Sequence, residues 1–311
     1  MAERALAADL HAYAADRAAR VDAALDAWLP PEDAFPAILH RAMRYSVFAG
    51  GKRLRPLLVI AAAETVGGAV EPVLPTACAV ELINTYSLIH DDLPSMDDAE
   101  LRRGRPACHR VFGEAIAVLA GDALHALAFE LLARPVPGVR PEATAAVVRE
   151  VAAAIGTGGM VGGQVLDLLA ERRPGQPAMP GWPADPASAV ADIHRRKTAA
   201  LIRACVRAGA ILCDAPAGEL EALDAYGAHL GLAYQVIDDV LDEVGEAQTL
   251  GKDARRDAAS RKLTYPAVYG VERSRAIAAA LTAQAVEALR PLGARGDLLA
   301  GLARLLLERE A

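Results

Sequence analysis

The chain has 311 residues, 53% of them hydrophobic and only 4% aromatic, and its 33 Lys and Arg against 40 Asp and Glu give a formal net charge of −7. That balance excludes a general nucleic-acid binder, whose affinity needs a broad basic surface, but leaves room for a local basic pocket that takes a small anion. Four cysteines, Cys78, Cys108, Cys205 and Cys213, follow no metal or redox spacing and read as reduced thiols rather than a disulfide framework.

In chain order, the opening MAERALAADLHAYAADRAAR mixes charge with alanine and lacks the apolar core of a signal peptide. It starts a helix over about 3–28, and helical periodicity recurs over about 33–48, 56–66, 72–92, 111–133, 142–170, 188–213, 217–243, 264–270, 272–290 and 296–309. Breakers such as GGKRLRP, VGGAVEP, RRGRP and RPVPGVRP lie between them. The Pro- and Gly-dense RRPGQPAMPGWPADP reads as a surface loop over about 171–187. No period-two strand pattern and no solenoid repeat is present. The longest charge-free apolar stretch, Val151 to Leu166, holds five glycines and is too short for a membrane span. The expectation is one all-α domain over residues 1–311, a bundle of about ten or more helices, in a cytoplasmic protein with no stable membrane insertion and no nucleic-acid partner.

Two acidic clusters end apolar helical runs. YSLIHDDLPSMDD carries Asp91, Asp92, Asp97 and Asp98; YQVIDDVLDEVGE carries Asp238, Asp239 and Asp242. Asp238 and Asp242 are i,i+4 neighbours on one helix face, where like charges destabilise unless a cation lies between them. Oxygen-only ligands suit a hard cation such as Mg²⁺. For either cluster alone, a solvated acidic face is the more common explanation. A di-iron bundle would need Glu-x-x-His pairs, and none of the seven histidines has Glu three residues before it.

Basic segments accompany both clusters. GGKRLRP sets Lys52, Arg53 and Arg55 behind Gly50 and Gly51, where backbone amides can approach an anion and arginine can fork phosphate oxygens. LRRGRP adds Arg102, Arg103 and Arg105; HRRKTAAL adds Lys197 and Thr198; LGKDARRDAASRKLTYP adds Lys252 and Lys262. A basic loop beside an acidic run can be no more than a surface salt-bridge patch. Two acidic and four basic clusters in one chain fit a site for two polyanions.

These motifs, in this order over roughly residues 35–275, resemble the class I trans-isoprenyl diphosphate synthases: DDLPSMD, DDVLD, GGKRLRP, LRRGRP, GMVGGQVLDL, HRRKTAALI, GLAYQVIDDVLD, LGK and KLTYP. The resemblance implies an isoprenoid-synthase helical bundle around a central cavity and a homodimer. It implies about three Mg²⁺ per site on Asp91, Asp92, Asp97 and Asp238, with Asp242 in support. The metals would clamp an allylic diphosphate with Arg102, Lys197 and Lys252, and Lys262 would also face substrate. Isopentenyl diphosphate would lie opposite, on Gly51, Lys52, Arg55 and Arg103. Thr198 and Gln235 would turn oxygen dipoles toward the carbocation, and Gln164 and Asp167 would line the cavity. The chain departs from the family at Asn84, where a histidine is usual: an amide can donate a hydrogen bond but cannot become cationic.

Product length in this family is set below the first acidic motif. At about 1.5 Å rise per residue, Ser87 and Tyr86 lie one turn or more deeper than Asp91. Tyr86 reads as an aromatic stop, which favours farnesyl (C15) diphosphate, built from isopentenyl, dimethylallyl and geranyl diphosphates, with geranylgeranyl (C20) as the alternative. A class I terpene cyclase would carry Asn/Asp-x-x-Ser/Thr-x-x-x-Glu in place of the second motif. A non-catalytic synthase subunit would carry eroded aspartates. This chain shows neither.

Overall fold

A computed structural model describes residues 2–171, 183, 185–245 and 262–307, with side chains from residue 9 onward. Its helices are α1 (Ala2–Trp28), α2 (Ala37–Val47), α3 (Leu54–Thr65), α4 (Leu74–Asp91), α5 (Cys108–Phe112), α6 (Glu114–Leu132), α7 (Pro141–Ile155), α8 (Met160–Ala170), α9 (Pro186–His194), α10 (Ala200–Leu212), α11 (Ala217–Val244), α12 (Tyr265–Tyr269), α13 (Val271–Ala288) and α14 (Asp297–Leu307). The all-α expectation holds, and the helix positions follow the apolar periodicity closely.

Helices α3 and α4 are apolar on nearly every face, so they are buried all round and form the centre of the bundle. Leu58 and Ile60 of α3 and Leu82 and Ile83 of α4 share one core with Leu124, Leu201, Ile202, Leu223 and Leu230. Each such side chain contributes about 1.5–3 kcal/mol on burial. Helix α4 packs along α6, α3 along α10, and α11 along both α10 and α13. A smaller cluster of Val190, Val236, Ile237, Tyr265 and Ala278 ties α9, α11, α12 and α13 together beside the cavity. The four cysteines are free thiols, three of them buried.

Four features differ from the sequence expectation. The helix expected over 142–170 breaks between Ile155 and Met160, where GTGG interrupts it. The helix expected over 188–213 contains a π-helical turn, Arg195–Ala199, a form that inserts a residue and is frequent at functional sites. LRRGRP forms a two-stranded hairpin, Leu101–Arg102 against Arg105–Pro106, closed by Arg103 and Gly104, both at positive φ; this is a two-residue turn of the kind that matches strand twist. Finally, Glu114–Leu132 and, across its break at GTGG, Pro141–Ala170 are long and apolar enough to cross a membrane by length and composition. A search for charge-free stretches passes over them, because each carries a few charged residues. In the fold α6 lies along α4 with Leu124, Leu131 and Leu132 buried.

Candidate active site

A cavity of about 650 Å³ opens between the C-terminal ends of α4 and α11, walled by α8 and the π turn. Asp91 and Asp97 face it from one side, and Asp238 and Asp242 from the other. The chain therefore brings its two acidic clusters to one space, although Asp91 and Asp238 lie far apart in sequence.

The cations between them are held by specific carboxylates. Lys197 Nζ donates to Asp167 Oδ2 at 2.5 Å, and Lys262 Nζ lies 3.2 Å from Asp97 Oδ1 and 4.0 Å from Glu171 Oε1. Burial alone would lower the Lys197 ammonium; Asp167 and Asp91 outweigh it and hold the group above the usual lysine range. Burial pushes the Asp91 carboxyl up, Lys197 pulls it down, and Asp97 adds to the rise. Gly163 is explained by close approach: a Cβ there would run into the Lys197 backbone, so α8 lies hard against the π turn.

Asp92 points elsewhere. It is 2% exposed and held by Arg102, whose Nη2 donates to Asp92 Oδ1 at 2.5 Å. Asp92 lines a small side cavity with Thr85 and Cys108 rather than the main wall. Asp92, expected as a metal ligand, is thus paired here with an arginine of the neighbouring hairpin. Asp239 is likewise occupied, accepting from Gln235 Nε2 and the Tyr265 amide, each at 2.9 Å, beside His194. Gln235 Oε1 in turn accepts from the Thr198 hydroxyl at 2.6 Å. This relay fixes Thr198 and Gln235 on the cavity wall and tethers the start of α12. Sequence reading had singled out neither His194 nor Tyr265. The Pro at the second position of α12 and the Thr264 cap, which accepts from Ala267 N, were the available signals.

On the other side of Arg102 lies the basic loop. Arg55, Asn84 and Arg103 line the cavity, while Gly51 and Lys52 are exposed just outside its wall. Arg103 Nη1 donates to the Gly50 carbonyl. Gly51 has φ +120°, a backbone conformation that L side chains rarely adopt, so the position favours glycine; a Cβ there would sit 2.6 Å from the Arg103 guanidinium carbon, which would have to move. Burial lowers Arg103 from the usual arginine range; Glu81 opposes this, and Arg53, Arg102 and Arg55 add to it.

Arg53 does not join them at the cavity. Its φ is +49°, its side chain is buried, and it donates to Asp22 Oδ1 at 2.7 Å, Glu81 Oε1 at 2.7 Å and the Val47 carbonyl at 2.8 Å. One guanidinium thus ties α1, the end of α2 and α4 to the loop that carries Lys52 and Arg55.

Tyr86 and Ser87 both line the cavity one turn below Asp91. The Ser87 hydroxyl donates back to the Asn84 carbonyl at 2.9 Å. Tyr86 is nearly buried and its hydroxyl is pushed up to about 12, first by burial and then by Asp91. Its ring stacks on His125 of α6, a residue that sequence reading passed over. Lys252 and most of the Pro-rich loop lie outside the described residues.

The donor set suits a hard cation. Among the described residues no three His, Cys, Asp or Glu side chains converge on one point. Mg²⁺ needs no such cage, since it takes one or two carboxylates and leaves other positions to water and phosphate. The Gln164 Oε1 atom is a buried oxygen without a partner in the cavity wall, and Asp91 is a carboxylate whose charge burial disfavours; both gain from a cation.

Comparison with known proteins places this geometry. The Polyprenyl synthetase family matches residues 36–290. Geranylgeranyl pyrophosphate synthase 12, chloroplastic, of Arabidopsis thaliana is 48% identical over 92% of this chain and 78% of its own. A dimethylallyltranstransferase of Fischerella ambigua is 40% identical over 96% of this chain and 83% of its own. The crystal structure of an FPP/GFPP synthase from Zymomonas mobilis superposes with a TM-score of 0.82 at 37% identity, covering 97% of this chain and 99% of that one. The cytoplasmic expectation is overturned by these relatives, since geranylgeranyl pyrophosphate synthases 11 and 12 of A. thaliana are both chloroplast proteins by name. From its acidic motifs to its fold, the chain belongs to the polyprenyl synthetase family.

Proposed function

We propose that the chain is a short-chain trans-prenyltransferase that condenses isopentenyl diphosphate with allylic diphosphates, residues 1–311 acting as one domain and the active form being a homodimer. The observation that carries this reading is the meeting of Asp91 and Asp97 with Asp238 across one cavity, with Lys197 and Lys262 between them.

Asp91, Asp97 and Asp238, with Asp242 behind them, would hold Mg²⁺, and the chemistry such ions supply is neutralisation of the leaving diphosphate. Lys197, Arg102 and Lys262 add fixed positive charge on the same side, where it favours heterolysis of the allylic C–O bond. Lys252, which lies outside the described residues, is assigned to the same diphosphate from its motif. Lys52, Arg55, Arg103 and Asn84 hold isopentenyl diphosphate opposite, so that its double bond faces the allylic carbon. The C–C bond forms from the π electrons of isopentenyl diphosphate, and the proton then lost from C2 passes to the departing diphosphate. Thr198 and Gln235 present hydroxyl and carbonyl oxygens to the carbocation while their mutual hydrogen bond keeps them from swinging. Asp92 holds Arg102 in place.

The names of the plant relatives support geranylgeranyl diphosphate as the product. The farnesyl reading stands second, favoured by the aromatic ring of Tyr86 across the cavity end. Purified protein with Mg²⁺, labelled isopentenyl diphosphate and, separately, C5, C10 and C15 starters decides both points by mass spectrometry. Use of the C15 starter with accumulation of C20 supports the first reading. Accumulation of C15 with the C15 starter untouched supports the second. No condensation with any starter, or a cyclised hydrocarbon, would sink the synthase assignment.

A further inference from the structure

A tyrosine on one helix is an uncertain stop for a growing hydrocarbon. Its ring turns about χ1 and χ2, and a helical residue has two accessible χ1 wells. Every added isoprene unit brings five apolar carbons whose burial favours pushing the ring aside. Something must hold the ring in place.

The surroundings of Tyr86 supply that hold. Its ring stacks on His125 with centroids 4.7 Å apart and planes at 27°. His125 is braced by Phe129, one turn on along α6, edge to face at 5.3 Å. The His90 ring also meets Tyr86 edge-on at 5.8 Å, and His90 Nε2 lies 3.1 Å from the Val118 carbonyl of α6. Tyr86 is therefore held by an imidazole face and an imidazole edge, both anchored to α6. Burial lowers the His125 imidazole from its ordinary value, with Asp122 opposing and His90 adding to the fall, so the neutral ring is favoured there.

We propose that His125 is a specificity-determining positioning residue: by stacking on Tyr86 it keeps the phenol across the end of the cavity, so chain growth ends at an α4–α6 stack rather than at Tyr86 alone. His125 does not line the cavity and touches no substrate; it acts through Tyr86. The inference rests on the synthase reading above.

The test compares product lengths of the full-length wild type, His125→Ala, His125→Phe, Tyr86→Ala and the Tyr86→Ala/His125→Ala double variant, with Mg²⁺, isopentenyl diphosphate and C5, C10 or C15 starters. Loss of the imidazole is expected to raise the ratio of the next longer product to the wild-type product by about tenfold, the equivalent of roughly 1.4 kcal/mol, while the first condensation from the C5 starter stays within about twofold. His125→Phe, which restores a stacking ring, should give the wild-type product. The double variant should match Tyr86→Ala, because His125 has nothing left to hold. This last comparison still decides the matter if His125→Ala alone folds poorly, since the same loss of fold would then add to Tyr86→Ala. An unchanged product from folded His125→Ala, equal shifts from Ala and Phe, or additive lengthening in the double variant would each overturn the proposal. A wild type that condenses nothing would bring down the synthase reading, and this inference with it.

Discussion

The two halves of the cavity handle charge in opposite ways. On the acidic side, Asp91, Asp97 and Asp167 face Lys197 and Lys262, so every charge has an opposite within a few ångströms, and the balance must be rearranged when a diphosphate arrives. On the basic side, Arg55, Arg103 and Lys52 gather around the Gly50 carbonyl and the tight Gly51 contact, with the buried Glu81 behind them. The first half is a set of ion pairs waiting to exchange partners. The second is an anion hole already assembled, kept open by a scaffold that lies outside it. Loss of charge on the first side should therefore show chiefly in turnover, and on the second chiefly in affinity.

The largest break should come on the acidic side. Asp91→Asn and Asp238→Asn are each expected to lower kcat/KM by about a thousandfold, since several kcal/mol of charge stabilisation vanish with the ligand. Asp92→Asn should cost clearly less, because Asp92 holds Arg102 and does not face the cavity. Steady-state kinetics across a Mg²⁺ titration separates the two: a raised Mg²⁺ requirement for the first pair but not for Asp92→Asn is the expected pattern. Equal losses at all three positions would return Asp92 to the metal site. Chelation of divalent ions should stop turnover and leave the far-UV circular dichroism unchanged.

Next comes the scaffold of the basic side. Removing one partner of a buried ion pair leaves the other uncompensated, so Arg53→Met or Glu81→Gln should lower stability by about 3–5 kcal/mol in urea unfolding. Among molecules that remain folded, KM for isopentenyl diphosphate should rise about tenfold more than KM for the allylic partner. Gly51→Ala is a smaller version of the same break: a residue other than glycine at φ +120° costs about 1–3 kcal/mol and displaces Arg103. If all of these variants raise both KM values alike, the basic side is no independent unit.

These positions also mark what was legible in the sequence. Helix locations followed from apolar periodicity because α3, α4 and α10 are uninterrupted by proline in their interiors, and Gly or Pro lies just beyond both ends of α3 and α4. The paired aspartates and the cavity lysines were visible because chemistry needs those residue types at those spacings. Asp92 and Asp239 were less so: in each DD pair the second carboxylate is taken by a protein donor, Arg102 for Asp92 and Gln235 with the Tyr265 amide for Asp239, and only the folded chain shows those partners. Arg53 looked like one more phosphate ligand between Lys52 and Arg55, yet its left-handed backbone turns it into the core, a conformation that sequence pattern does not encode for arginine. The π turn that carries Lys197 and the His125 stack depend on contacts between distant segments, to which a local pattern is blind.

Asn84 offers the mildest way to sharpen the comparison. It lies on α4 one turn after Glu81 and lines the cavity with Arg55 and Arg103, at the position where relatives of this type often carry histidine. Asn84→His should restore a group able to become cationic without disturbing the scaffold. A charge-assisted hydrogen bond is about twice as strong as a neutral one, so the gain is on the order of 1 kcal/mol, or about fivefold in KM for isopentenyl diphosphate. The sign with pH follows from protonation: histidine is cationic below its ordinary pKa of about 6.5, so the gain is full at lower pH and fades above it. Burial and the neighbouring arginines push that midpoint down, while Glu81 and the bound diphosphate push it up. Measuring KM for isopentenyl diphosphate at pH 6 and pH 8 in wild type and variant reads the effect directly. A variant-to-wild-type ratio that improves on acidification, with the allylic KM unmoved, places Asn84 in the preassembled half. A pH-independent ratio would mean that residue 84 meets the substrate only through shape, and that the basic side owes its affinity to the arginines alone.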